Sequence, residues 1–174
     1  MNRIYTALFV LLLTFSLNGK AHDKVEPVDS LEKILNFHFV SEQLASSGLL
    51  HLKDYDYIKE YGFKHVINLI PRDQADERKR VESLGLSYDQ IEIIWNDPTL
   101  ENFETFVELM KKYGNDKVYV HCQMNWRASS YLYLYRVTQL GVQKEVALKD
   151  LHRVWKPSET WQGFIDKVEF AYSK

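Results

Sequence analysis

The 174-residue sequence predicts an α/β fold, in which helices cover both faces of a central, mostly parallel sheet of about four to five strands. Short runs of β-branched and aromatic residues alternate along the chain with longer amphipathic segments, and this alternation is typical of right-handed βαβ units. A glycine follows four of the amphipathic segments, at Gly62, Gly85, Gly114 and Gly141, where helices commonly end.

Each predicted strand is a run of β-branched, aromatic or alternating residues that ends at turn-forming residues. The predicted strands are residues 36–40, residues 64–70, residues 88–95 and the run from Val118 that ends at His121-Cys122. Residues 41–47 continue from the first strand towards a turn predicted at Ser46-Ser47-Gly48.

Helical periodicity predicts a helical turn at 31–35 and helices at 52–61, 74–84, 100–113, 127–140, 145–155 and 159–171. The helix at 100–113 has the clearest pattern, because its apolar residues recur at helical spacing along one face. No repeat or low-complexity tract interrupts the series, so we predict a single domain at residues 22–174.

Residues 1–21 have the pattern of a secretory signal peptide. Arg3 supplies the positive charge, residues 7–17 form the apolar stretch, and Gly19-Lys20-Ala21 places small residues at the two positions that a signal peptidase recognises. The apolar stretch is shorter than the roughly 20 residues that span a bilayer, which argues against the alternative, an uncleaved membrane anchor. We predict cleavage after Ala21, a periplasmic or secreted protein, and no stable membrane insertion after cleavage.

Charge and cysteine content exclude several classes of function. Residues 1–21 hold Arg3, Lys20 and no acidic residue, so the remaining chain has 20 basic and 24 acidic side chains, which argues against binding of nucleic acid. Cys122 is the only cysteine, so it cannot form a disulfide within the chain. The histidines other than His121 are scattered and lack the spacing of metal ligands, so we predict no metal and no cofactor.

The loop after the Val118 strand carries the residues of chemical interest. Cys122 lies where a strand gives way to a helix, near unpaired backbone N–H groups and the positive end of the helix dipole. These features favour a bound anion, and they favour thiolate over thiol. Arg127 follows after four residues and adds a planar fork that matches two oxygens of a phosphate or sulfonate. A nucleophile and an oxyanion cradle are therefore predicted in one loop, whereas the simpler alternative is a buried, inert cysteine.

His121-Cys122 followed by Arg127 resembles the active-site loop of the cysteine-dependent phosphatases, whose usual form is His-Cys-x5-Arg-Ser/Thr. The shorter Cys-x4-Arg spacing of this chain is similar to that of the beta-lactamase hydrolase-like phosphatases, a bacterial dual-specificity-like branch. The segment FVSEQLASSG at 39–48 also resembles the opening of that branch. The resemblance implies a cysteine-phosphatase-like fold and a phosphatase activity of the tyrosine or dual-specificity type.

Three positions of the loop depart from the usual pattern. Asn125 stands where the third residue after the cysteine tends to be glycine, but asparagine is the non-glycine residue most able to adopt a positive φ. Ala128 replaces the Ser or Thr that usually follows the arginine. Trp126 is unexpected in such a loop, and we expect it to narrow or flatten the mouth of the pocket.

The resemblance also implies residue roles. Cys122 would attack phosphorus and form a cysteinyl-phosphate. Arg127 would bind two phosphate oxygens, and His121 would orient the loop unless it is simply a satisfied core histidine. Ser129 is a candidate to hydrogen-bond the sulfur, and its alternative place is the helix surface. The remaining oxyanion contacts would come from backbone N–H groups, those of Gln123, Met124, Asn125, Trp126 and Arg127.

Departure of the leaving group needs a proton donor, which the phosphatase family supplies from an Asp upstream of the cysteine strand. Asp97 is the candidate, because it lies 25 residues before Cys122 in a turn that follows a predicted strand. Its alternative role is to cap the helix that begins near Leu100. Asp73 is the second candidate donor, and for this residue we favour capping of the helix at 74–84.

Three functions remain open at this point. The main prediction is a phosphatase that acts on a phosphorylated substrate of unknown type. A rhodanese-like sulfurtransferase fits the spacing of the loop and needs Cys122 but no general acid. A catalytically inactive pseudophosphatase that holds phosphate or sulfate is compatible with the shortened loop and with its three departures.

Overall fold

A computed structural model describes residues 27–173, so the predicted signal peptide and its cleavage site lie outside the described residues. Five strands occur in this range: β1 (His38–Phe39), β2 (Leu44–Ser47), β3 (His65–Asn68), β4 (Ser87–Gln90) and β5 (Val118–His121). They form one sheet in the order β1-β2-β5-β3-β4, in which β1 is antiparallel to β2 and the other neighbours are parallel. The predicted mostly parallel sheet is confirmed.

Helices cover both faces of this sheet, as predicted. They are α1 (Pro27–Leu31), α2 (Asp54–Glu60), α3 (Ala75–Ser83), α4 (Leu100–Tyr113), α5 (Trp126–Thr138), α6 (Lys144–Val154) and α7 (Glu159–Tyr172). Side chains of a strand point alternately to its two faces. In β5, Tyr119 therefore packs into the apolar cluster of α1, α2 and α3, while Val118 and Val120 pack into the cluster of α4 to α7.

Two predicted boundaries are wrong. Ser46 and Ser47 lie within β2, paired with Val120 and His121, and not in a turn, because β2 is enclosed between β1 and β5 and its backbone groups bond to both. The third predicted strand ends at Gln90 instead of continuing to residue 95. Within residues 27–173, β4 is an edge strand that pairs with β3 alone, and β3 ends at Asn68, so the described chain places no strand beside the residues after Gln90.

The topology brings the carboxyl ends of three parallel strands to one edge of the sheet. β5 lies between β2 and β3, and it runs directly into the loop that precedes α5. Ligands of open α/β sheets generally bind at this edge, so the fold presents Cys122 where a binding site is expected. Among the helices of residues 27–173, none has both the length and the apolar character needed to cross a bilayer.

Candidate active site

The cysteine loop, defined here as residues 122–127, borders a cavity of about 280 Å³. The cavity is lined by Trp95, Cys122, Gln123, Met124, Trp126 and Arg127. Cys122 is almost entirely buried, with 1% of its surface exposed, and Asn125 is fully buried within the loop. The structure therefore brings the predicted nucleophile, the predicted arginine and three of the intervening residues to one cavity.

Hydrogen bonds from neighbouring segments hold the carbonyl groups of this loop. The Gln123 carbonyl oxygen accepts the Leu49 N–H at 3.1 Å, and the Met124 carbonyl oxygen accepts the Asn36 Nδ2–H at 3.1 Å. In a planar trans peptide the N–H points away from the carbonyl that precedes it. The N–H groups of Met124 and Asn125 therefore point away from Leu49 and Asn36, which is the arrangement that an oxyanion cradle needs.

The start of α5 continues the same arrangement. Asn125 precedes the helix with φ of 66°, so the sequence-based expectation that asparagine tolerates this position is confirmed. Its side chain makes no hydrogen bond to the first turn of the helix, which leaves the N–H groups of that turn without a side-chain cap. The positive end of α5 thus stays available to an anion.

Ser129 has a role different from both predicted alternatives. It is buried, not on the helix surface, and its hydroxyl donates to the Asn125 carbonyl at 2.7 Å and to the Trp126 carbonyl at 3.2 Å, with no bond to the Cys122 sulfur within the described residues. The neighbouring Ser130 hydroxyl also donates to the Trp126 carbonyl, at 2.9 Å. Both serines therefore support the backbone of the cysteine loop.

Arg127 has an incompletely satisfied guanidinium group. Its central carbon lies 5.4 Å from the centroid of the Trp95 ring, a distance suited to a cation–π contact. Its Nε–H is buried and, among the described residues, has no hydrogen-bond acceptor. A buried donor without a partner is costly, so an oxyanion bound in the cavity would relieve this cost.

A buried polar network lies behind the loop, on the side of α2 and α3. His121 Nε2 lies 2.7 Å from Glu77 Oε1 and 3.4 Å from the Tyr55 hydroxyl. Asn68 Nδ2 donates to both Glu77 oxygens, at 3.1 and 3.0 Å, and lies 3.0 Å from the Tyr88 hydroxyl. Burial alone would raise the pKa of Glu77, but the hydrogen bonds and charge of His121, with Tyr55 and Asn68, hold that pKa below its ordinary value.

The role of Glu77 was not predicted, because α3 is rich in charged residues, a composition typical of a solvated helix. A signal was present, since Glu77 precedes the buried Val81 by four residues and therefore shares its helix face. A carboxylate on the apolar face of a helix requires a buried partner, and His121 is that partner.

The two candidate proton donors occupy different environments. Asp97 is exposed in the turn after Trp95, and it does not cap α4, because the Thr99 hydroxyl oxygen accepts the Asn102 N–H at 3.2 Å instead. The alternative role predicted for Asp97 is therefore wrong. Neither Asp97 nor Asp73 lines the cavity of the cysteine loop, although Trp95, two residues before Asp97, does.

Asp73 binds the start of α3, but Gln74 and not Asp73 occupies the N-cap position of that helix. The Oδ1 of Asp73 accepts the Ala75 N–H at 3.0 Å, at the start of α3. The adjacent Arg72 lies close to the loop, with its Nη2 3.4 Å from the Gln123 Oε1.

All four tryptophans of the chain meet beside the cavity. The Trp95 ring centroid lies 5.5 Å from that of Trp126 and 5.2 Å from that of Trp161, while Trp126 stacks on Trp155 at 5.2 Å with 10° between the ring planes. Trp126 therefore forms part of an aromatic wall of the cavity, joined to the segment that carries Asp97.

Among the described residues, no three His, Cys, Asp or Glu side chains are grouped so that they could hold a metal ion.

Several solved structures are similar to this chain. A presumed phosphatase (DUF442) from Shewanella putrefaciens CN-32 has 29% sequence identity and a TM-score of 0.75, over 84% of this chain and 99% of that one. The core catalytic domain of the PP-IP phosphatase SIW14 from S. cerevisiae has 16% identity and a TM-score of 0.66, over 80% and 92%. TpbA from P. aeruginosa has 16% identity and a TM-score of 0.64, also over 80% and 92%.

No protein-family model matches the chain, and no curated protein matches it either. The assignment to the narrower beta-lactamase hydrolase-like branch therefore stays a prediction. The sheet with its cysteine loop at the end of β5 has the fold of these solved structures, and this likeness supports the predicted resemblance to the cysteine-dependent phosphatase superfamily.

Proposed function

We propose that the protein hydrolyses phosphomonoesters through a cysteinyl-phosphate intermediate. The observation that carries the proposal is that Cys122 and Arg127 line one cavity, while the buried Nε–H of Arg127 lacks an acceptor in the described chain. A phosphoryl group bound over Cys122 would supply that acceptor, and its other oxygens would accept from the backbone N–H groups of Gln123, Met124, Asn125 and Trp126.

In the first step the Cys122 thiolate attacks phosphorus, so a sulfur–phosphorus bond forms as the bond to the leaving oxygen breaks. Asp97 donates a proton to that oxygen. In the second step Asp97 accepts a proton from water as the water oxygen attacks phosphorus, which releases inorganic phosphate and regenerates the Cys122 thiolate. Arg127 stabilises the charge on the phosphoryl oxygens in both steps.

Asp97 is preferred to Asp73 because of what each carboxylate already binds. Asp73 accepts a backbone N–H at the start of α3, while Thr99 caps α4 and leaves Asp97 without that task. Asp97 also follows Trp95, whose ring packs against Trp126 and Arg127. In the proposed reaction this segment brings Asp97 to the cavity.

The finer points of the proposal rest on resemblance. The tyrosine or dual-specificity type follows from the loop pattern, and the likeness to the PP-IP phosphatase SIW14 adds phosphorylated inositols to the substrates worth testing. We also propose that the protein acts in the periplasm or outside the cell after cleavage following Ala21.

The test is release of p-nitrophenol from p-nitrophenyl phosphate under reducing conditions, from about pH 4.5 to 8. Cys122→Ser should abolish turnover. Asp97→Asn should slow alkyl phosphates far more than p-nitrophenyl phosphate, because the poorer leaving group depends more on the proton donor. Asp73→Asn is the matched control and should leave this selectivity unchanged. Equal turnover by wild type and Cys122→Ser would contradict the proposal.

Two other outcomes would identify the alternatives. A persulfide on Cys122 after thiosulfate treatment, with no release of phosphate, would identify a sulfurtransferase. Tight binding of phosphate or sulfate without turnover would identify a pseudophosphatase.

A further inference from the structure

Two asparagines form a reciprocal pair beside the cysteine loop. Among the described residues, Asn36 and Asn125 are the only non-glycine residues with positive φ, at 49° and 66°. The Asn125 side-chain amide donates to the Asn36 carbonyl oxygen at 2.6 Å, and the Asn36 side-chain amide donates to the Met124 carbonyl oxygen at 3.1 Å. We call this pair the asparagine clasp.

The clasp joins segments that are far apart in sequence. Asn36 and Asn125 are 89 residues apart, and Asn36 lies between α1 and β1. Gly48 and Leu49, which follow β2, connect the same two segments. The Gly48 N–H donates to the Leu35 carbonyl at 2.7 Å, and the Leu49 N–H donates to the Gln123 carbonyl. Gly48 permits this close approach, since a Cβ there would lie 3.0 Å from the Gln123 oxygen.

A glycine at position 125 would adopt the same φ without strain. Asparagine tolerates this conformation better than other non-glycine residues, and its side-chain amide can contribute a hydrogen bond that glycine lacks. That contribution is the bond to Asn36, and it also diverts the side chain from capping α5. Asn125 therefore links the cysteine loop to Asn36, and the N–H groups in the first turn of α5 remain available to bind an anion.

We propose that Asn36 is a positioning residue for the oxyanion cradle, acting through the Met124 carbonyl and through Asn125. This inference rests on the proposed function, because it assigns the clasp to the same phosphate site. Held by Asn36, the Met124–Asn125 peptide keeps its N–H on the side opposite the clasp. Without the Asn36 amide the Met124 carbonyl loses this bond, so the peptide that follows it is held less firmly in the orientation that the cradle needs.

The experiment is a double-mutant cycle with Asn36→Gly, Asn125→Gly and the double variant. Glycine retains the positive φ at both positions and removes only the amide groups, so the fold should persist. The matched control is Asn115→Gly, an exposed asparagine after α4. The readouts are the dissociation constant of inorganic tungstate, kcat and KM for p-nitrophenyl phosphate, and the thermal unfolding midpoint.

We expect each single variant to weaken tungstate binding and to lower kcat/KM, both by about two- to tenfold, as expected for loss of one or two hydrogen bonds. The double variant should bind tungstate more weakly than either single variant, because each substitution removes one of the two clasp bonds and leaves the backbone acceptor of the other in place. Asn115→Gly should match the wild type. A thermal midpoint that falls with unchanged tungstate affinity would reduce the clasp to a structural contact and overturn the inference, as would a double variant with the tungstate affinity of the wild type.

The tungstate measurement separates the two proposals. Wild-type protein that binds tungstate without turnover contradicts the proposed hydrolysis, while the cycle on tungstate affinity still decides the clasp. Wild-type protein that neither binds tungstate nor turns over substrate overturns both.

Discussion

Two adjacent residues, His121 and Cys122, face environments of opposite character. Behind the loop, His121 bonds to Glu77, and both Glu77 oxygens have partners inside the protein. In front, Arg127 keeps a buried donor without an acceptor in the described chain, and the carbonyls of the cysteine loop are bound from outside. The bonds of Glu77 hold the loop in place from behind, where the Nδ1 of His121 is also buried without a partner in the described chain. The unpaired Nε–H of Arg127 differs because Arg127 lines a cavity that a ligand can enter. Substitutions on the two sides should therefore have separable effects.

On the cavity side of the loop, Arg127→Lys should have the largest effect on activity. Lysine keeps the charge but lacks the planar fork, so kcat/KM for p-nitrophenyl phosphate should fall by about 10²- to 10³-fold, with a thermal midpoint near that of the wild type. Arg153→Lys, at an exposed site on α6, is the control and should be nearly neutral. Comparable activity of Arg127→Lys and the control would remove Arg127 from the proposed mechanism.

Behind the loop, Glu77→Gln should act mainly on stability. The amide retains the shape but loses the charge that faces His121, so the free energy of unfolding in urea should fall by about 1–3 kcal/mol. Glu82→Gln lies on the same helix but is exposed, and it should change stability by less than about 0.5 kcal/mol. If the two variants are equally stable, the network does not anchor the loop.

The pH dependence of the free energy of unfolding should also distinguish the wild type from Glu77→Gln. The pKa of Glu77 is lower in the folded protein than in the unfolded chain, so its ionised form stabilises the fold above the unfolded value of about 4.3. That contribution is lost as the pH falls through the folded pKa. Urea unfolding from about pH 6 to 3 should show a steeper loss for wild type than for Glu77→Gln, and parallel curves would contradict the assignment.

The smallest expected effect is a change in tryptophan fluorescence when an anion binds in the cavity beside Arg127. Because all four tryptophans cluster around Trp95, which also contacts Arg127, binding of tungstate should change the intrinsic fluorescence. Trp155→Phe should reduce the change without altering the tungstate affinity, since Trp155 stacks on Trp126 but does not line the cavity. A saturable fluorescence change that persists in Arg127→Lys with unaltered affinity would place the anion elsewhere.

Local pattern was sufficient for much of this protein. The apolar periodicity of α4 and the β-rich run of β5 depend on neighbours within a few residues, and both elements were predicted correctly. Cys122 and Arg127 are also close in sequence, and they line one cavity. The positive φ of Asn125 could also be anticipated, since it is a property of the residue type. These features together determine the fold class and the location of the site.

Only the tertiary structure decided which distant groups meet. Glu77 pairs with His121 across 44 residues, Asn36 with Asn125 across 89, and the Trp95 carbonyl with the Trp161 indole across 66. The sequence by itself determined a cysteine loop at the end of a central strand, because alternation and loop spacing are local. The support behind that loop, its outer clasp and its aromatic wall depend on the order of strands in the sheet, and short-range periodicity carries no information about that order.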